Sequence, residues 1–365
     1  MEYVTQLLAG GNLASDGVYT KRCVELLESR FHIAKVLLTP SCTAALEMAA
    51  ILCDLQPGDE VIMPSYTFVS TANAVMLRGA KPVFVDIRPD TLNLDESRIE
   101  EKISSRTKAI FVVHYAGVAC EMDPILDIAR RHNLRVIEDA AQALHSYYRG
   151  RPLGTLGDIG AYSFHYTKNF ICGEGGAICI NLPEFADRAE IIREKGTNRR
   201  QFLLGNVDKY TWVDVGSSQV GSEVSSALLC GQLEMLDEIH ARRAAAYERY
   251  QQLLQPLELS GFFDLPRVPA HCQGNYHIMY LMLRSGDHRD RLLAHLRDQG
   301  ISAVIHYVPL HGSAMGTQLG YSPGDFPVTE RAGACLLRLP LFADITADQQ
   351  ERVVNQVARF FEQVV

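Results

Sequence analysis

The sequence predicts an α/β fold in which a large domain built on a mostly parallel sheet is followed by a smaller α+β domain. Over the first half of the chain, short apolar runs without alternation are separated by helical segments, which is typical of parallel strands covered on both faces. After about residue 245 a long polar helical stretch leads to a strand, a helix and a second strand. We therefore predict a large domain with an N-terminal arm at residues 1–245 and a small C-terminal α+β domain at residues 246–365.

The first predicted element is a helix at residues 20–31, where Cys23, Leu27 and Phe31 recur on one face. Seven apolar runs follow with the length and composition of buried strands; they are residues 35–38, 60–63, 82–86, 108–113, 134–138, 159–164 and 176–180. Helical segments lie between the earlier runs at residues 43–52, 67–78 and 123–132. This alternation predicts helices on both faces of one sheet.

The C-terminal region opens with a polar helical stretch that carries Arg242, Arg243 and Glu248. The elements predicted after it are a strand at residues 275–284, a helix at 286–299, a strand at 301–306 and a final helix at 346–362. Strands and helices in this order predict the smaller α+β domain.

Composition and charge exclude several classes of protein. Hydrophobic residues make up 47% and charged residues 21% of the 365 residues, which is ordinary for a globular protein. The formal net charge of -8 at pH 7 argues against a nucleic-acid binder, which normally carries a basic face. The sequence has no signal-peptide pattern and no run of 18 apolar residues, so we expect no membrane span.

The nine cysteines are odd in number and form no Cys-x-x-Cys pair, so they predict neither a disulfide framework nor a zinc site. Several lie within apolar runs, as buried free thiols do in a reducing compartment. We therefore predict a cytoplasmic protein. The histidines also lack the spacing of metal ligands on one element, and no metal site is expected.

Three residues between the first predicted strand and the helix after it can form an anion site. Ligands of an open parallel sheet lie in the crevice at the carboxyl ends of its strands. The backbone N–H groups that open the helix after Ser41, at Cys42 and Thr43, together with the Thr43 hydroxyl, can hold a phosphate. The same residue types also serve as an ordinary helix N-cap, and this segment alone leaves both interpretations open.

An acidic residue, Asp139, follows the apolar run at residues 134–137. A carboxylate fixed at a strand end can pair with a protonated pyridine nitrogen and so keep a cofactor ring electron-poor. An aspartate that caps the next helix is the alternative interpretation of this position.

Lys168 is the candidate nucleophile. It lies just past a predicted strand, among aromatic residues and before glycines at 173, 175 and 176, whereas most of the chain's eight lysines lie in turns or on polar helix faces. Burial in such surroundings lowers the pKa of a lysine and frees its amine to attack a carbonyl. A solvated loop lysine is the alternative.

We call the candidate anion site at residues 41–43 the phosphate cradle. Along the chain the candidate groups occur in the order phosphate cradle, aromatic Phe68, Asp139, Gln142, Ser163 and Lys168, which is the order of the cofactor contacts in large-domain aminotransferases. The sequence resembles the DegT-type sugar-nucleotide aminotransferases over nearly its whole length. Within that family it is most similar to the branch of the dTDP-4-amino-4,6-dideoxygalactose transaminases. The matching segments are Val36–Ala50, Pro57–Asn73, His114–Asp123, Glu138–Gln142, Ser163–His165, Lys168–Asn169, Gly173–Ala177, Ile191–Arg199 and His306–His311.

The resemblance implies the aspartate-aminotransferase-like fold, fold type I, with pyridoxal 5′-phosphate (PLP) as cofactor. It implies that Lys168 forms the covalent link to the cofactor and then moves the proton between the substrate carbon and the cofactor. Asp139 would pair with the pyridine nitrogen and Gln142 would hydrogen-bond the ring oxygen. Phe68 would lie against the ring face, with Tyr66 as the weaker candidate.

The resemblance also implies which groups hold the cofactor phosphate. These are Cys42 and Thr43, mainly through their backbone N–H groups, and the Ser163 hydroxyl. In the family a residue of the partner subunit reaches the same phosphate, and Ser218 occupies that place here. Many members have a Gly-Tyr-Asn-Tyr-type segment where this chain has Gly216–Glu223, and a serine is shorter than that asparagine. A homodimer with shared active sites is expected.

The implied reaction transfers an amino group from L-glutamate to dTDP-4-keto-6-deoxy-D-glucose and gives a dTDP-4-amino-4,6-dideoxy sugar of galacto or gluco configuration. Alternatives are a different nucleotide-linked keto sugar and a non-catalytic regulatory binder with the same fold. A PLP-dependent sugar dehydratase of this fold would have a histidine in place of Lys168. A dinucleotide oxidoreductase is disfavoured because no Gly-x-Gly-x-x-Gly follows the first strand.

Some polar residues have two interpretations. His165 or His311 can contact the substrate or serve in core or loop hydrogen bonding. The arginines and lysine at 193, 195, 199 and 200 can bind the nucleotide pyrophosphate, since arginine matches phosphate bidentately, or can be solvated charges at a helix end.

Overall fold

The computed structural model describes residues 2–10 and 13–364; Met1, Gly11 and Asn12 of the predicted N-terminal arm lie outside this part. The strands in chain order are β1 (Lys35–Thr39), β2 (Glu60–Pro64), β3 (Lys81–Val85), β4 (Thr107–Val113), β5 (Arg135–Asp139), β6 (Tyr147–Tyr148), β7 (Arg151–Pro152), β8 (Ile159–Ser163), β9 (Gly176–Ile180), β10 (Phe263–Asp264), β11 (Cys272–Gln273), β12 (Met279–Leu283) and β13 (Leu336–Leu339). The helices are α1 (Glu2–Gly10), α2 (Val18–Phe31), α3 (Cys42–Leu52), α4 (Val69–Met76), α5 (Met122–His132), α6 (Ala186–Arg193), α7 (Arg199–Leu203), α8 (Glu223–Glu234), α9 (Leu236–Leu259), α10 (Gly286–Asp298), α11 (Ala314–Gln318), α12 (Pro327–Cys335) and α13 (Ala347–Val364).

Seven strands form one large sheet in the order β1-β9-β8-β5-β4-β2-β3. The pairs from β8 to β3 are parallel, whereas β9 lies antiparallel to both β1 and β8. All seven coincide with the apolar runs from which they were predicted, and the mostly parallel sheet is confirmed. Because β8 and β9 are antiparallel neighbours, the connection at residues 164–175 begins and ends at the same edge of the sheet.

Successive side chains of the large sheet enter two different cores. On β4, Ile110 and Val112 pack in one core while Ala109 and Phe111 pack in the other. Helices α2, α5 and α8 contribute to the first core, and α3, α4 and α6 to the second. The strands are therefore covered on both faces, which is why their sequences are continuously apolar.

The start of α2 is held by a residue far away in the sequence. The carboxylate of Glu223, the first residue of α8, accepts the N–H groups of Gly17, Tyr19 and Thr20 at 2.9, 2.9 and 3.0 Å. A carboxylate at a helix N-terminus satisfies N–H groups that have no partner within the helix. A Cβ on Gly17 would lie 2.6 Å from the Glu223 Cδ atom, so a larger residue there would have to displace this carboxylate.

The C-terminal part has a core of its own. Strands β10, β12 and β13 form an antiparallel sheet, and α9, α10 and α13 pack with it. The predicted strand at 275–284 and the predicted helices at 286–299 and 346–362 correspond to β12, α10 and α13. The predicted domain boundary at residue 245 falls within α9.

The strand predicted at residues 301–306 is wrong. In this described segment Val304 forms an isolated bridge with Arg338, and no strand is present. Pairing along β13 does not continue past this bridge, and the residues that follow it, His306 and Tyr307, line a cavity.

A small sheet links the C-terminal part to the large domain. Strand β11 pairs with β6, so the segment after α9 joins residues that follow β5.

Across residues 2–10 and 13–364, no helix combines the length and apolar character needed to span a membrane.

Candidate active site

A cavity of about 590 Å³ lies where β1, β4, β5 and β8 end. The carboxyl ends of strands are where an open parallel sheet presents its ligand-binding groups. Seven of the eight residues predicted from the sequence line this cavity: Cys42, Thr43, Phe68, Asp139, Gln142, Ser163 and Lys168. The fold therefore gathers side chains that are more than a hundred positions apart.

One end of the cavity is the N-terminus of α3. The Ser41 hydroxyl accepts an N–H from within the first turn, and the N–H groups of Cys42 and Thr43 have no backbone acceptor in the described part of the chain. The Thr43 hydroxyl lies 2.7 Å from that of Ser70, and the Ser163 hydroxyl lines the same space. Free N–H groups and hydroxyls at a helix N-terminus suit a phosphate.

Asp139, at the end of β5, lines another part of the cavity, and its carboxylate is held in a fixed orientation. The Thr71 hydroxyl donates to its Oδ2 atom at 2.7 Å, and the Ala141 N–H donates to Oδ1 at 3.1 Å. Thr67 lies 2.9 Å from the Thr71 hydroxyl. Since an ionised carboxylate only accepts hydrogen bonds, Thr71 is the donor to Asp139 and Thr67 the donor to Thr71.

Gln142 is fixed by two hydrogen bonds from different directions. Its Oε1 atom accepts the Ala116 N–H at 2.7 Å, and its Nε2 atom donates to the Tyr307 hydroxyl at 2.6 Å. A side-chain amide has two N–H groups, so one remains for a ligand in the cavity. The Tyr307 ring stacks on His306 with centroids 3.9 Å apart.

Lys168 lies in the connection between β8 and β9, and its side chain is half-buried. Its amine makes no hydrogen bond or ion pair with any residue that the structure describes. Burial lowers the pKa of the Lys168 ammonium from its ordinary value, and electrostatic interactions with Cys42 and Asp139 oppose that shift. A lysine with a lowered pKa and a free amine can act as a nucleophile toward a carbonyl.

The backbone on either side of Lys168 is tied down. Phe164 donates to the Gly175 carbonyl at 2.8 Å, and Tyr166 donates to the Gly173 carbonyl at 2.9 Å. Gly173 has a φ of +88°, in the left-handed region that favours glycine. These bonds close the connection into a hairpin-like loop, so the lysine is presented from a fixed backbone.

The two aromatic candidates for the ring face differ in position. Phe68 lines the cavity and is 57% exposed, so its ring is available to a ligand. Tyr66 is buried, packs against Tyr115 and Tyr307 with centroids 5.2 and 5.6 Å apart, and does not line the cavity. The placement favours Phe68.

Another wall of the cavity comes from the C-terminal part, and its residues are not among those predicted from the sequence. Arg338 of β13 lines the cavity, and its guanidinium has neither an ion pair nor a hydrogen bond to any described residue. Burial lowers the pKa of this guanidinium. In the sequence, Arg338 stands out only as a charged residue within the otherwise apolar run Leu336–Leu339.

Two neutral histidines lie beside Arg338 on this wall. Burial and the nearby cations Arg338 and Lys168 lower the pKa of His306 to about 2. Burial, and then the charge of Lys168, hold the pKa of His277 well below its usual range. The His277 Nδ1 atom lies 2.9 Å from the Asn169 Oδ1 atom, which accepts a hydrogen, so Nδ1 carries the proton. The imidazoles of His277 and His306 therefore add no positive charge beside Arg338.

Ser218 is the predicted residue that the fold does not bring into the cavity. It is exposed, and the loop that contains it is pinned to the end of α6 by a bridge between Ser218 and Glu194. Lys195 donates its N–H to the Ser217 carbonyl in the same loop, at 3.0 Å.

The basic residues considered for a pyrophosphate are engaged elsewhere. Each lies near a carboxylate: Arg193 near Asp16, Lys195 and Arg199 near Glu194, and Arg200 near Glu190. None of them lines the cavity. Lys195, Arg199 and Arg200 are exposed, which supports the interpretation as solvated charges at a helix end, whereas Arg193 is buried.

The two histidines considered as substrate contacts are separated by the fold. His165 lines the cavity. His311 is buried outside it, between the Ser65 hydroxyl at 2.7 Å and the Glu330 carboxylate at 3.1 Å. His311 therefore serves a hydrogen-bond network within the core.

Together the lining residues fit PLP. One end offers unpaired N–H groups for a phosphate, Asp139 offers an oriented carboxylate for a pyridine nitrogen, and Lys168 offers a free amine in the same cavity. When bound, PLP supplies the electron sink for breaking bonds at an amine-bearing carbon.

Comparison with known proteins also identifies an aminotransferase family. The sequence model of the DegT/DnrJ/EryC1/StrS aminotransferase family matches residues 1–358. A "Pleiotropic regulatory protein" of Geobacillus stearothermophilus is 37% identical over 319 residues, which are 87% of this chain and 82% of that protein. The spore coat polysaccharide biosynthesis protein SpsC of Bacillus subtilis is 34% identical over 325 residues, 87% of this chain and 83% of SpsC.

Solved structures show the same likeness in three dimensions. The aminotransferase TlmJ from Streptoalloteichus hindustanus superposes with a TM-score of 0.91 at 31% identity, over 100% of this chain and 96% of TlmJ. NtdA from Bacillus subtilis, solved with the bound cofactor PMP, has a TM-score of 0.89 at 29% identity, over 99% of this chain and 81% of NtdA. The predicted fold class, fold type I, is confirmed.

Proposed function

The chain belongs to the DegT/DnrJ/EryC1/StrS family and is a PLP-dependent sugar aminotransferase, and from that premise we propose that it aminates a dTDP-linked 4-keto sugar. The proposed acceptor is dTDP-4-keto-6-deoxy-D-glucose and the proposed donor is L-glutamate. The product would be a dTDP-4-amino-4,6-dideoxy sugar of galacto or gluco configuration. The observation that carries the amino-transfer chemistry of this proposal is the unpaired Lys168 amine in a cavity that is also lined by Asp139 and by a helix N-terminus with unpaired N–H groups.

The proposed role of Lys168 is proton transfer. With PLP bound, the Lys168 amine would accept the proton from the amine-bearing carbon of the donor and later return it. The lowered pKa of Lys168 suits this role, because the amine must be unprotonated to accept the proton. Positioned proton transfer of this kind contributes about 10²–10⁴-fold in rate.

The proposed roles of the other residues are binding and orientation. Asp139 holds a pyridine nitrogen in its protonated form, and Gln142 donates its remaining N–H to the ring oxygen. Phe68 packs on the ring, and Cys42, Thr43 and Ser163 bind the phosphate. Their common position around one cavity supports these assignments.

Arg338 supports an amino acid as the donor. A partly buried guanidinium without a counter-charge is unfavourable, so the cavity is expected to receive an anion beside it. The α-carboxylate of glutamate is such an anion, and guanidinium binds carboxylate in bidentate geometry. The neutral histidines at 277 and 306 add no competing charge.

The nucleotide and the 4-keto-6-deoxy sugar rest on the resemblance of the sequence to that branch of the family. SpsC, a relative named for polysaccharide biosynthesis, is in keeping with a sugar acceptor. A different nucleotide-linked keto sugar is the alternative acceptor. A regulatory binder is the alternative function, and one relative is named as a regulatory protein, but a binder has no need of the free amine of Lys168 beside Asp139.

We also propose a cytoplasmic homodimer with shared active sites. Ser218 is exposed and outside the cavity of its own chain, as expected of a residue that completes the site of a partner subunit. The nine cysteines are free thiols, in keeping with a reducing compartment.

The test is the visible absorption spectrum of the purified protein with PLP. L-glutamate should bleach the cofactor band, and dTDP-4-keto-6-deoxy-D-glucose should restore it. A band that bleaches but does not return would reject this sugar and retain the aminotransferase. A band that L-glutamate leaves unchanged would reject the proposed donor. Proton NMR of the aminated product then distinguishes the axial from the equatorial amine.

A further inference from the structure

The first turn of α4 touches both ends of the proposed cofactor site through consecutive residues. Ser70 lies 2.7 Å, hydroxyl to hydroxyl, from Thr43 in the phosphate cradle. The next residue, Thr71, donates to the Asp139 carboxylate at 2.7 Å. Consecutive residues of a helix point about 100° apart, so one turn can reach two separate groups.

We propose that Ser70 and Thr71 are positioning residues with separate tasks, Ser70 for the phosphate end of the cofactor and Thr71 for its pyridine nitrogen. This inference rests on the proposed placement of the cofactor described above. Neither residue belongs to the set predicted from the sequence. Both act through another side chain, Ser70 through Thr43 and Thr71 through Asp139.

The direction of the hydrogen bonds defines the task of Thr71. Its single hydroxyl proton goes to Asp139, and its oxygen accepts from Thr67 at 2.9 Å. Both threonines are buried, so water does not compete for these bonds. With the Ala141 N–H on the other oxygen, the carboxylate is fixed at both atoms and cannot rotate away from a ring nitrogen.

The task of Ser70 follows from the chemistry of a phosphate, which accepts hydrogen bonds. When the Thr43 hydroxyl donates to a phosphate, its oxygen is free to accept from Ser70. Ser70 lines the cavity and is half-buried. It therefore orients the Thr43 proton toward the anion.

The two tasks are separable with three probes that differ in one group each. PLP has both the phosphate and the pyridine nitrogen, pyridoxal lacks the phosphate, and 1-deazapyridoxal phosphate lacks the ring nitrogen. Dissociation constants of all three are measured on the full-length protein stripped of cofactor, by change in absorption or protein fluorescence. The variants are Ser70→Ala and Thr71→Val, with Thr71→Ser as the conservative control.

Ser70→Ala should raise the dissociation constants of PLP and 1-deazapyridoxal phosphate about 2- to 10-fold, the effect of one lost neutral hydrogen bond, and leave that of pyridoxal unchanged. Thr71→Val should raise those of PLP and pyridoxal about tenfold and leave that of 1-deazapyridoxal phosphate within twofold. Thr71→Ser keeps the hydroxyl and should restore wild-type values. If Thr71→Val folds poorly, Thr71→Cys, a much weaker donor, makes the same test.

Equal weakening of all three probes by either variant would overturn the inference, since the hydroxyls would then serve only the general packing of α4. Unchanged binding of all three probes would overturn it as well. Failure of the wild-type protein to bind PLP would instead refute the placement of the cofactor, so the two failures are distinguishable.

Discussion

The side-chain amide of Gln142 donates to the hydroxyl of Tyr307 over 2.6 Å, and this bond joins the two walls of the cavity. Gln142 follows β5 of the large sheet, whereas Tyr307 comes from the segment before α11 in the C-terminal part. The amide is also held by the Ala116 N–H, so the orientation of its remaining N–H depends on both walls.

Tyr307→Phe removes that bond and leaves the Gln142 amide held at one atom. A hydrogen bond of this kind contributes about 0.5–1.5 kcal/mol net, so we expect the dissociation constant of PLP to rise about 2- to 10-fold. Fluorescence titration measures this change. Tyr321→Phe, whose hydroxyl donates to the Pro82 carbonyl outside the cavity, is the control. Tighter or unchanged binding in Tyr307→Phe would show that the bond does not orient Gln142.

Lys168→Ala should give a folded protein that binds PLP without covalent attachment and does not turn over. The substitution removes the amine but no core packing, because the side chain is half-buried in the cavity. We expect a loss of at least about 10²–10⁴-fold in kcat, the usual effect of positioned proton transfer. Lys195→Ala, at a lysine near Glu194, is the matched control. Normal turnover in Lys168→Ala would refute the assignment.

Asp139→Ala should weaken PLP binding and slow proton removal from the donor. The variant leaves the Thr71 hydroxyl and the Ala141 N–H without their acceptor and removes the charge opposite the ring nitrogen. Loss of one such electrostatic contact costs about 10²–10³-fold in kcat. Single-turnover kinetics with glutamate measure the step. Asp123→Ala, at an aspartate paired with Arg151, should leave both quantities unchanged. An unaltered rate in Asp139→Ala would mean that another group partners the pyridine nitrogen.

Arg338→Gln should raise the KM for L-glutamate with little effect on the KM for the sugar nucleotide. A hydrogen bond to a charged group contributes about 1.5–3 kcal/mol, so its loss should raise the KM for L-glutamate about 10- to 100-fold. Steady-state kinetics with each substrate varied in turn separate the two constants. Arg284→Gln, at an arginine paired with Asp264 outside the cavity, is the control. A selective rise in the KM of the sugar nucleotide would assign Arg338 to the phosphates instead.

The lowered pKa of Lys168 predicts how cofactor capture depends on pH. Only the unprotonated amine attacks the aldehyde of PLP, so the capture rate of the stripped protein should rise with pH. The rise should level off at a pH below 10.5, the ordinary value for lysine. Because the negative charge of Asp139 opposes the shift, Asp139→Asn should move the midpoint lower still. Stopped-flow absorption across pH measures the midpoint, and a value at or above 10.5 would contradict the prediction.

Much of the large sheet could be predicted from sequence because its strands are short, continuously apolar and bounded by helices. The antiparallel direction of β9 could not, since an apolar run such as residues 176–180 has the same composition in either direction. The strand predicted at 301–306 fails for a related reason. Apolar residues there suggest pairing, but in this segment pairing is limited to the bridge between Val304 and Arg338, and His306 and Tyr307 line the cavity.

The predicted site residues came from motifs close to strand ends, and seven of the eight line one cavity. Two site residues that were not predicted, Thr71 and Arg338, lie on elements distant in sequence from the groups they serve. Thr71 reaches Asp139 from α4, and Arg338 enters from β13 in the C-terminal part. Such contacts depend on tertiary packing, so local sequence patterns do not contain them.

The antiparallel pairing of β8 with β9 also affects how the chain reaches its native state. Only residues 164–175 separate β8 from β9, whereas residues 40–175 separate β1 from β9. The entropy lost on closing a loop grows with its length, so the β8–β9 hairpin is the less costly of the two pairings to form. The loop that presents Lys168 can thus take shape before the far wall, with Tyr307 and Arg338, has docked.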